Sequence, residues 1–428
     1  MNPRAAARAI FDAAVRAGAV RPLVLRALGD LRPPSRGRLI VVGAGKASGA
    51  MAAAVEEPLG DRIAEGLVVV KDGHLAPTRR LHLVEAGHPV PDERGAAAAR
   101  QIHALVRGAG PDDLVLVLIS GGGSALAPAP PPPITLEEKR ALTRLLLGAG
   151  ATIGQLNAVR KHCSLLKGGQ LARAAAPARV RALLLSDVIG DPPDIIASGP
   201  TAPDASTFPQ AVAILDRLGV GDQVPAAIRE RLQEGVGGEI PETPKPGDPI
   251  FDQVQNIVIG NNQLVVDGAM AEARRLGLDP HLLTRSLEGE AREVADRFVG
   301  LAREIRAGRG PVAAPACLIA AGETTVTVRG RGRGGRCQEF ALAAALELDG
   351  VAGITVLAAG TDGTDGPTDA AGALADGESA ARARAQGCDP RARLHDNDSH
   401  AVFFALGDLL VTGPTNTNLL DLYLAVVT

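Results

Sequence analysis

The sequence predicts a two-domain α/β fold, and three observations carry that prediction. At 428 residues the chain is too long for one ordinary hydrophobic core. Short apolar runs at residues 39–42, 67–70, 114–119, 182–185, 257–259, 317–320 and 354–358 alternate with helical stretches. That is the rhythm of strands buried on both faces, as in a parallel sheet. Finally, Gly and Pro crowd residues 235–249 without helical periodicity, which sets the expected domains at 1–240 and 250–428.

Taken in order, the chain opens with Arg4, Arg8, Arg16 and Arg21 in an Ala-rich stretch. Ala7, Ile10, Phe11, Ala14 and Val15 recur there at helical spacing, so an amphipathic helix is predicted rather than a transit peptide. The first strand runs into Gly43-Ala44-Gly45-Lys46-Ala47-Ser48-Gly49, and the third into Ser120-Gly121-Gly122-Gly123-Ser124. Residues 157–172 read as one helix with Arg160, Ser164 and Lys167 on a single face. The later strands exit into Ser186-Asp187, Gly260-Asn261-Asn262, Gly322-Glu323 and Gly360-Thr361-Asp362-Gly363. Ligands bind outside the carboxyl ends of strands in open parallel sheets. So many polar exits predict two sheets whose functional edges face a common cleft.

Composition excludes several classes of partner. Aromatics are only 2%, with no Trp and one Tyr, so stacking platforms for single-stranded nucleic acid are scarce. A formal net charge of −3 argues against general binding to a phosphate backbone. Residues 114–136, the longest uncharged run, contain three consecutive glycines and a proline cluster and do not read as a membrane span. Cys163, Cys317, Cys337 and Cys388 are too scattered for a zinc site and read as idle thiols of a cytoplasmic protein. Partners are expected to be small molecules.

The glycine loops suggest anion chemistry. A strand–helix turn such as Gly43–Lys46 presents free backbone N–H groups where phosphate or carboxylate is favoured, and Lys46 adds point charge. The loop is not a dinucleotide fingerprint, because Ser48 stands where the third Gly belongs. Nor is it a Walker A loop, since Ile40 and Ala47 occupy required positions. Ser120–Ser124 lacks the Gly-x-Ser-x-Gly elbow of a serine nucleophile and reads better as a phosphate cradle. Arg160 and Lys167 suit either an anion or a solvated stripe. Asp187, with Asp191 nearby, suits Mg²⁺, a proton acceptor or a turn. The four arginines of 329–336 suit recognition of phosphate or carboxylate, and Arg336 stands at a helix start. Asp362, Asp365 and Asp369 leave Mg²⁺ coordination, substrate hydroxyls and a self-bonded turn all open. His395 and His400 are wrongly spaced for a metal pair on one helix face.

Together these segments resemble the class II glycerate 2-kinase family, whose C-terminal part is called the MOFRL domain. The pieces are VVGAGKAS from Val41, SGGGSAL from Ser120, LNAVRKHCSLLKGGQLA from Leu156 and SDVIGDPPDIIASGPT from Ser186. GGRCQEFAL from Gly334, GTDGTDGPTDAAGA from Gly360 and NDSHAVFFALGDLLVTGPTNTNLLDL from Asn397 complete the set. The resemblance implies a Rossmann-like parallel-sheet N-terminal domain, a smaller α/β domain and an interdomain cleft. It implies transfer of the γ-phosphate of ATP to the 2-hydroxyl of D-glycerate, with Mg²⁺ or another divalent cation. Lys46 and Arg336 match the family's essential pair, and Asp187 its cleft aspartate. Gly43, Gly45, Ser120, Gly121, Gly122, Gly123, Ser124, Arg160, Asp362 and Asp365 are the expected substrate and nucleotide contacts. Asp187 and Asp191 are the expected metal ligands. Cys337 and Asn416 depart from the family pattern, where Asn and Gly are frequent. Neither nucleic acid nor membrane is implied as a partner, and a homodimer is one option for assembly. An NAD(P)H-dependent hydroxypyruvate reductase and a non-catalytic sugar-acid binder are the rival readings.

Overall fold

The computed structural model describes residues 2–428. These divide into two compact units, Val20–Ile259 and residues 2–19 with Gly260–Thr428.

The N-terminal unit is built on a six-stranded sheet. Its strands are β1 (Leu39–Ala44), β2 (Ile63–Lys71), β3 (His82–Ala86), β4 (Leu114–Ile119), β5 (Arg179–Leu185) and β6 (Val254–Gly260), in the order β3-β2-β1-β4-β5-β6. The pairs β1–β2, β1–β4, β2–β3 and β4–β5 are all parallel. The central strands β1 and β4 are buried at every position, which is why they read as unbroken apolar runs. Ile40, Val42, Val115, Val117 and Ile119 pack with Ala99 and Ile102 of the helix Glu93–Arg107. A separate core of Leu142, Leu146, Val159, Phe208, Ile214 and Leu232 joins the helices Leu136–Gly148, Ile153–His162, Phe208–Arg217 and Ala226–Gly237. Three helices start with the same reciprocal cap, Thr135 with Glu138, Thr152 with Gln155 and Thr207 with Gln210.

The C-terminal unit holds a mixed sheet. Its strands are β7 (Asp279–Leu287), β8 (Ala316–Gly322), β9 (Ile354–Gly360), β10 (Gly372–Asp376), β11 (Leu409–Leu410) and β12 (Asp421–Val427), in the order β11-β10-β9-β12-β8-β7. Only β7–β8 is parallel; β12 lies antiparallel between β8 and β9. The chain's single tyrosine, Tyr423, enters the core from β12. Its ring is 4.6 Å from Phe340, which meets Phe298 edge-on at 5.6 Å.

Three expectations are corrected. The first helix, Pro3–Ala17, packs on the helix Asn262–Arg275 and so belongs with the C-terminal unit. Arg4 pins it there, with Nε 2.6 Å from Asp376 and Nη1 2.6 Å from Asp408. At the other end, β6 lies beyond the Gly/Pro segment yet completes the N-terminal sheet, so the expected boundary of 240–250 falls too early. The predicted 157–172 helix stops at His162, and a turn with Gly168 and Gly169 at positive φ precedes the helix Gln170–Ala175.

Among the described residues no helix is long and apolar enough to cross a membrane. Phe340→Ala should lower the stability of the C-terminal unit by about 3–5 kcal/mol, through lost burial and the cavity left between Phe298 and Tyr423. Urea unfolding followed by circular dichroism is the check.

Candidate functional site

In the order β3-β2-β1-β4-β5-β6 the chain winds outward one way from β1 and the other way from β4. Doubly wound sheets bind ligands at such a reversal, outside the carboxyl ends. Both glycine loops emerge there.

They are tied together. The Lys46 N–H donates to the Gly121 carbonyl at 2.8 Å, and the Ala47 N–H donates to Ser120 Oγ at 3.0 Å. Ser48 Oγ and Ser120 Oγ lie 3.0 Å apart, both fully buried. Ser120 therefore joins the two loops through its hydroxyl instead of offering it to a ligand. A Cβ on Gly45 would come within 2.1 Å of that hydroxyl, so the first loop admits no side chain there. Gly122 has φ 81°, and a Cβ on it would sit 2.9 Å from His88 Nε2 and 3.4 Å from Lys46 Cγ. Gly43 is the penultimate residue of β1, and Gly123 and Ser124 begin the short helix Gly123–Leu126.

Ser124 links the second loop to its surroundings. Its Oγ is 3.0 Å from Ser198 Oγ, which donates to Asn157 Oδ1 at 3.0 Å. Ala197, Ser198 and Gly199 have φ of 50°, 63° and 62°. Two consecutive non-glycine residues in the left-handed region cost roughly 1–2 kcal/mol each and persist only where surrounding contacts enforce them. Asp187 and Asp191 follow β5 and are partly exposed, with Asp191 at φ 56°. Arg160 stands one turn beyond Asn157 on the helix Ile153–His162.

A second charged cluster occupies the carboxyl ends of β8 and β9 in the C-terminal unit. Arg336 opens the helix Arg336–Glu347 and forks onto Asp421, with Nε–Oδ2 2.5 Å and Nη2–Oδ1 3.0 Å. Its Nη1 also donates to Glu323. Burial works against the Arg336 charge, but Asp421 and Glu323 outweigh it and hold its pKa above the ordinary value. Asp421 is 2% exposed and also accepts from Tyr423 Oη at 3.2 Å.

Asp365 turns out to be a cap. Gly335, at the N-cap, has no side chain to offer, and Asp365 accepts from the N–H groups of Cys337 (3.1 Å) and Gln338 (2.8 Å) instead. Burial pushes its carboxyl up to about 7, against the Gln338 N–H and with the help of Asp421. Asp362 closes a turn on itself by accepting from the Thr364 N–H at 2.9 Å. The His395–His400 region holds the arginine loop in place. Asn397 accepts from the N–H groups of Arg329 and Gly330, Asp396 from Arg331 and Asp398 from Arg333. Asn416 takes φ 58°, a conformation that Asn tolerates in place of Gly.

Asp421 and Tyr423 escaped the sequence reading. A lone acid and the chain's only tyrosine inside an apolar run near the C-terminus were the signal. Among the described residues no group of three or more His, Cys, Asp or Glu is placed to hold a metal ion.

The family model described as "Domain of unknown function (DUF4147)" matches residues 6–233, and the MOFRL family model matches residues 316–421. A protein of Agrobacterium vitis named "Putative hydroxypyruvate reductase" is 47% identical over 424 residues, spanning 99% of this chain and 94% of its own. The D-glycerate 2-kinase of Thermotoga maritima is 44% identical over 391 residues, 91% of each chain. A solved glycerate kinase structure from Thermotoga maritima superposes with a TM-score of 0.87 at 41% identity, covering 99% of both chains.

The Asp365 cap yields a pH test. A carboxyl whose folded pKa is raised contributes stability that is full below about pH 4 and lost as pH rises towards 7. The melting temperature of the wild type minus that of Asp365→Asn should fall across that window. A difference that grows with pH would instead make the ionised Asp365 the stable cap.

Proposed function

Since the chain belongs to the glycerate kinase family, we propose that it transfers the γ-phosphate of ATP to the 2-hydroxyl of D-glycerate. The substrate oxygen bonds to phosphorus as the bond from phosphorus to the β,γ-bridging oxygen breaks, and the products are 2-phosphoglycerate and ADP. The observation that carries this reading is the joining of two glycine loops at the strand-order reversal, with Lys46 on one of them.

Phosphoryl transfer asks mainly for positioning and for neutralisation of charge. In this reading the backbone of Gly43–Gly45 and Gly121–Gly123 cradles anionic oxygens in a Rossmann-like arrangement. Lys46 neutralises charge on the transferring group, and Asp187 orients the attacking hydroxyl or holds the cation. Arg336 is, taken by itself, the C-terminal unit's candidate anion-binding residue. Asp187 and Asp191 provide the one or two carboxylates that Mg²⁺ takes alongside phosphate oxygens. When bound, that ion would offset phosphate charge. Asp362 and Asp365, occupied with their own backbone contacts, act as scaffold.

The reductase name carried by some relatives deserves a physical answer. A dinucleotide site needs an acid about 20 residues on, at the carboxyl end of the second strand, to take the ribose. Glu65 lies near the amino end of β2, paired with Arg38 at 2.9 Å. Asp61 precedes β2 and stays exposed beside Arg80. Asp72, just past the correct end, is engaged through both oxygens by Arg94, at 2.8 and 2.9 Å. Among these three acids, the one at the correct edge is already engaged by an arginine.

Purified protein with ATP, Mg²⁺ and D-glycerate should release ADP, with 2-phosphoglycerate as the product by NMR. ATP should raise the melting temperature and NADH should not. Lys46→Ala should cut kcat by about 100-fold or more. Arg336→Ala removes the partner of a buried carboxylate. With Arg336 about 35% exposed, that should also cost roughly 2–3 kcal/mol of stability. Arg336→Lys is the cleaner probe, because it keeps the charge and loses the fork; activity near wild type in that variant would reject a bidentate role.

A further inference from the structure

Two buried lysines, Lys139 and Lys167, and the partly buried Arg160 lie together in the N-terminal unit without a carboxylate among their bonded partners. Lys139 is 3% exposed, and its Nζ donates to the Cys163 carbonyl at 2.8 Å. Lys167 is 2% exposed and donates to the carbonyls of Ser124 (2.8 Å) and Ala127 (3.4 Å). Arg160 makes no side-chain hydrogen bond or ion pair among the described residues, and its Nε is closed off from solvent. Arg160 acts on both lysines. Burial and then the Arg160 charge bring Lys139 down to about 7, and burial with Lys139 and Arg160 pulls Lys167 well below its usual value.

Lys161, the next residue after Arg160, shows the ordinary solution. Its Nζ sits 3.3 Å from Asp204 and 3.8 Å from Asp194. A guanidinium partly withdrawn from water, with its Nε shut off from solvent and no counter-charge, is costly to keep, and it is retained most simply where a bound anion supplies the missing partner. The groups one turn away are neutral and already oriented. Asn157 is held by Ser198, and Ser198 by Ser124, at the end of the second glycine loop.

We propose that Arg160 docks the carboxylate of the acceptor, with Asn157, Ser198 and Ser124 lining the subsite for its hydroxyls. A planar guanidinium fork matches a carboxylate in two parallel hydrogen bonds. Hydroxyl and amide neighbours suit a small hydroxy acid, whereas the nucleotide phosphates have the backbone N–H groups of the glycine loops. The identity of the acid as glycerate rests on the kinase reading; the existence of the carboxylate subsite does not.

The test is steady-state kinetics and thermal melting of the wild type, Arg160→Met and Arg160→Lys. KM for D-glycerate should rise by roughly 10- to 100-fold, the loss of a charge-assisted pair. KM for ATP should stay in place, and Arg160→Lys should recover part of the loss. Without ligand, Arg160→Met should melt at the wild-type temperature or above it, because an unpaired cation has gone. A drop of more than about 4 °C would mark a structural role and overturn the proposal. A rise in KM for ATP alone would move the anion to the nucleotide and overturn it as well, as would unchanged constants. If the wild type releases no ADP, the kinase reading fails separately. Thermal shifts with D-glycerate, set against glycerol, which lacks the carboxylate, still decide the subsite. Stabilisation of the wild type by glycerate alone, absent in Arg160→Met, supports it, and an equal response of both proteins rejects it.

Discussion

The buried contact between Ser48 and Ser120 is the constraint on which the N-terminal unit's site depends. It ties the exits of β1 and β4, the two strands between which the winding reverses. Parallel neighbours at that point leave their loops pointing apart, and a crevice results. A hydroxyl pair shut away from water holds the crevice at one width, because neither group has an alternative partner in solvent. The absence of a third fingerprint glycine follows from the same contact. Ser48 stands in its place since its side chain has a structural task there.

The C-terminal cluster solves a different problem. A guanidinium left to itself samples many rotamers, and ordering it on a ligand would cost entropy at the moment of binding. Arg336 is ordered beforehand by a fork onto Asp421 and a further bond to Glu323. Asp421 is in turn steadied by Tyr423, whose ring is fixed in the core against Phe340. Asp365 fixes the backbone from which Arg336 springs. The chain of supports runs from an aromatic core to one exposed edge of a guanidinium.

Much of this was legible in the residues. Strands β1 and β4 are apolar throughout because both faces are covered, and glycine loops directly follow them. What escaped were matters of distance along the chain. Nothing local shows that β12 inserts between β8 and β9, and Asp421 reaches Arg336 only through that insertion, 85 residues away. Arg4 meets Asp408 across 404 residues, so the first helix could not be assigned to its unit from its own pattern. The helix of 157–172 was overextended because helical spacing continues past Cys163, whereas the left-handed Gly168 and Gly169 show only in three dimensions. Asp365 read as a ligand contact because a cap supplied by a residue 28 positions along the chain from Cys337 has no sequence signature.

The contrast between Lys161 and Arg160 separates architecture from function more sharply than any motif does. Both are basic and adjacent, and helical spacing alone singled out Arg160 without settling whether it meets an anion or solvent. Lys161 meets the carboxylates of Asp204 and Asp194, and its charge is answered within the fold. Arg160 has no hydrogen-bond or ion-pair partner for its side chain among the described residues, and Lys139 and Lys167 beside it are pushed towards the neutral form by burial and by its charge. Folding alone does not favour that arrangement, because an apolar side chain of similar length would pack there at lower cost. An unbalanced interior charge is therefore a statement about a ligand, and its sign gives the ligand's sign. In the N-terminal unit that sign is negative, which is the charge carried by every anionic group of a hydroxy acid and a nucleotide.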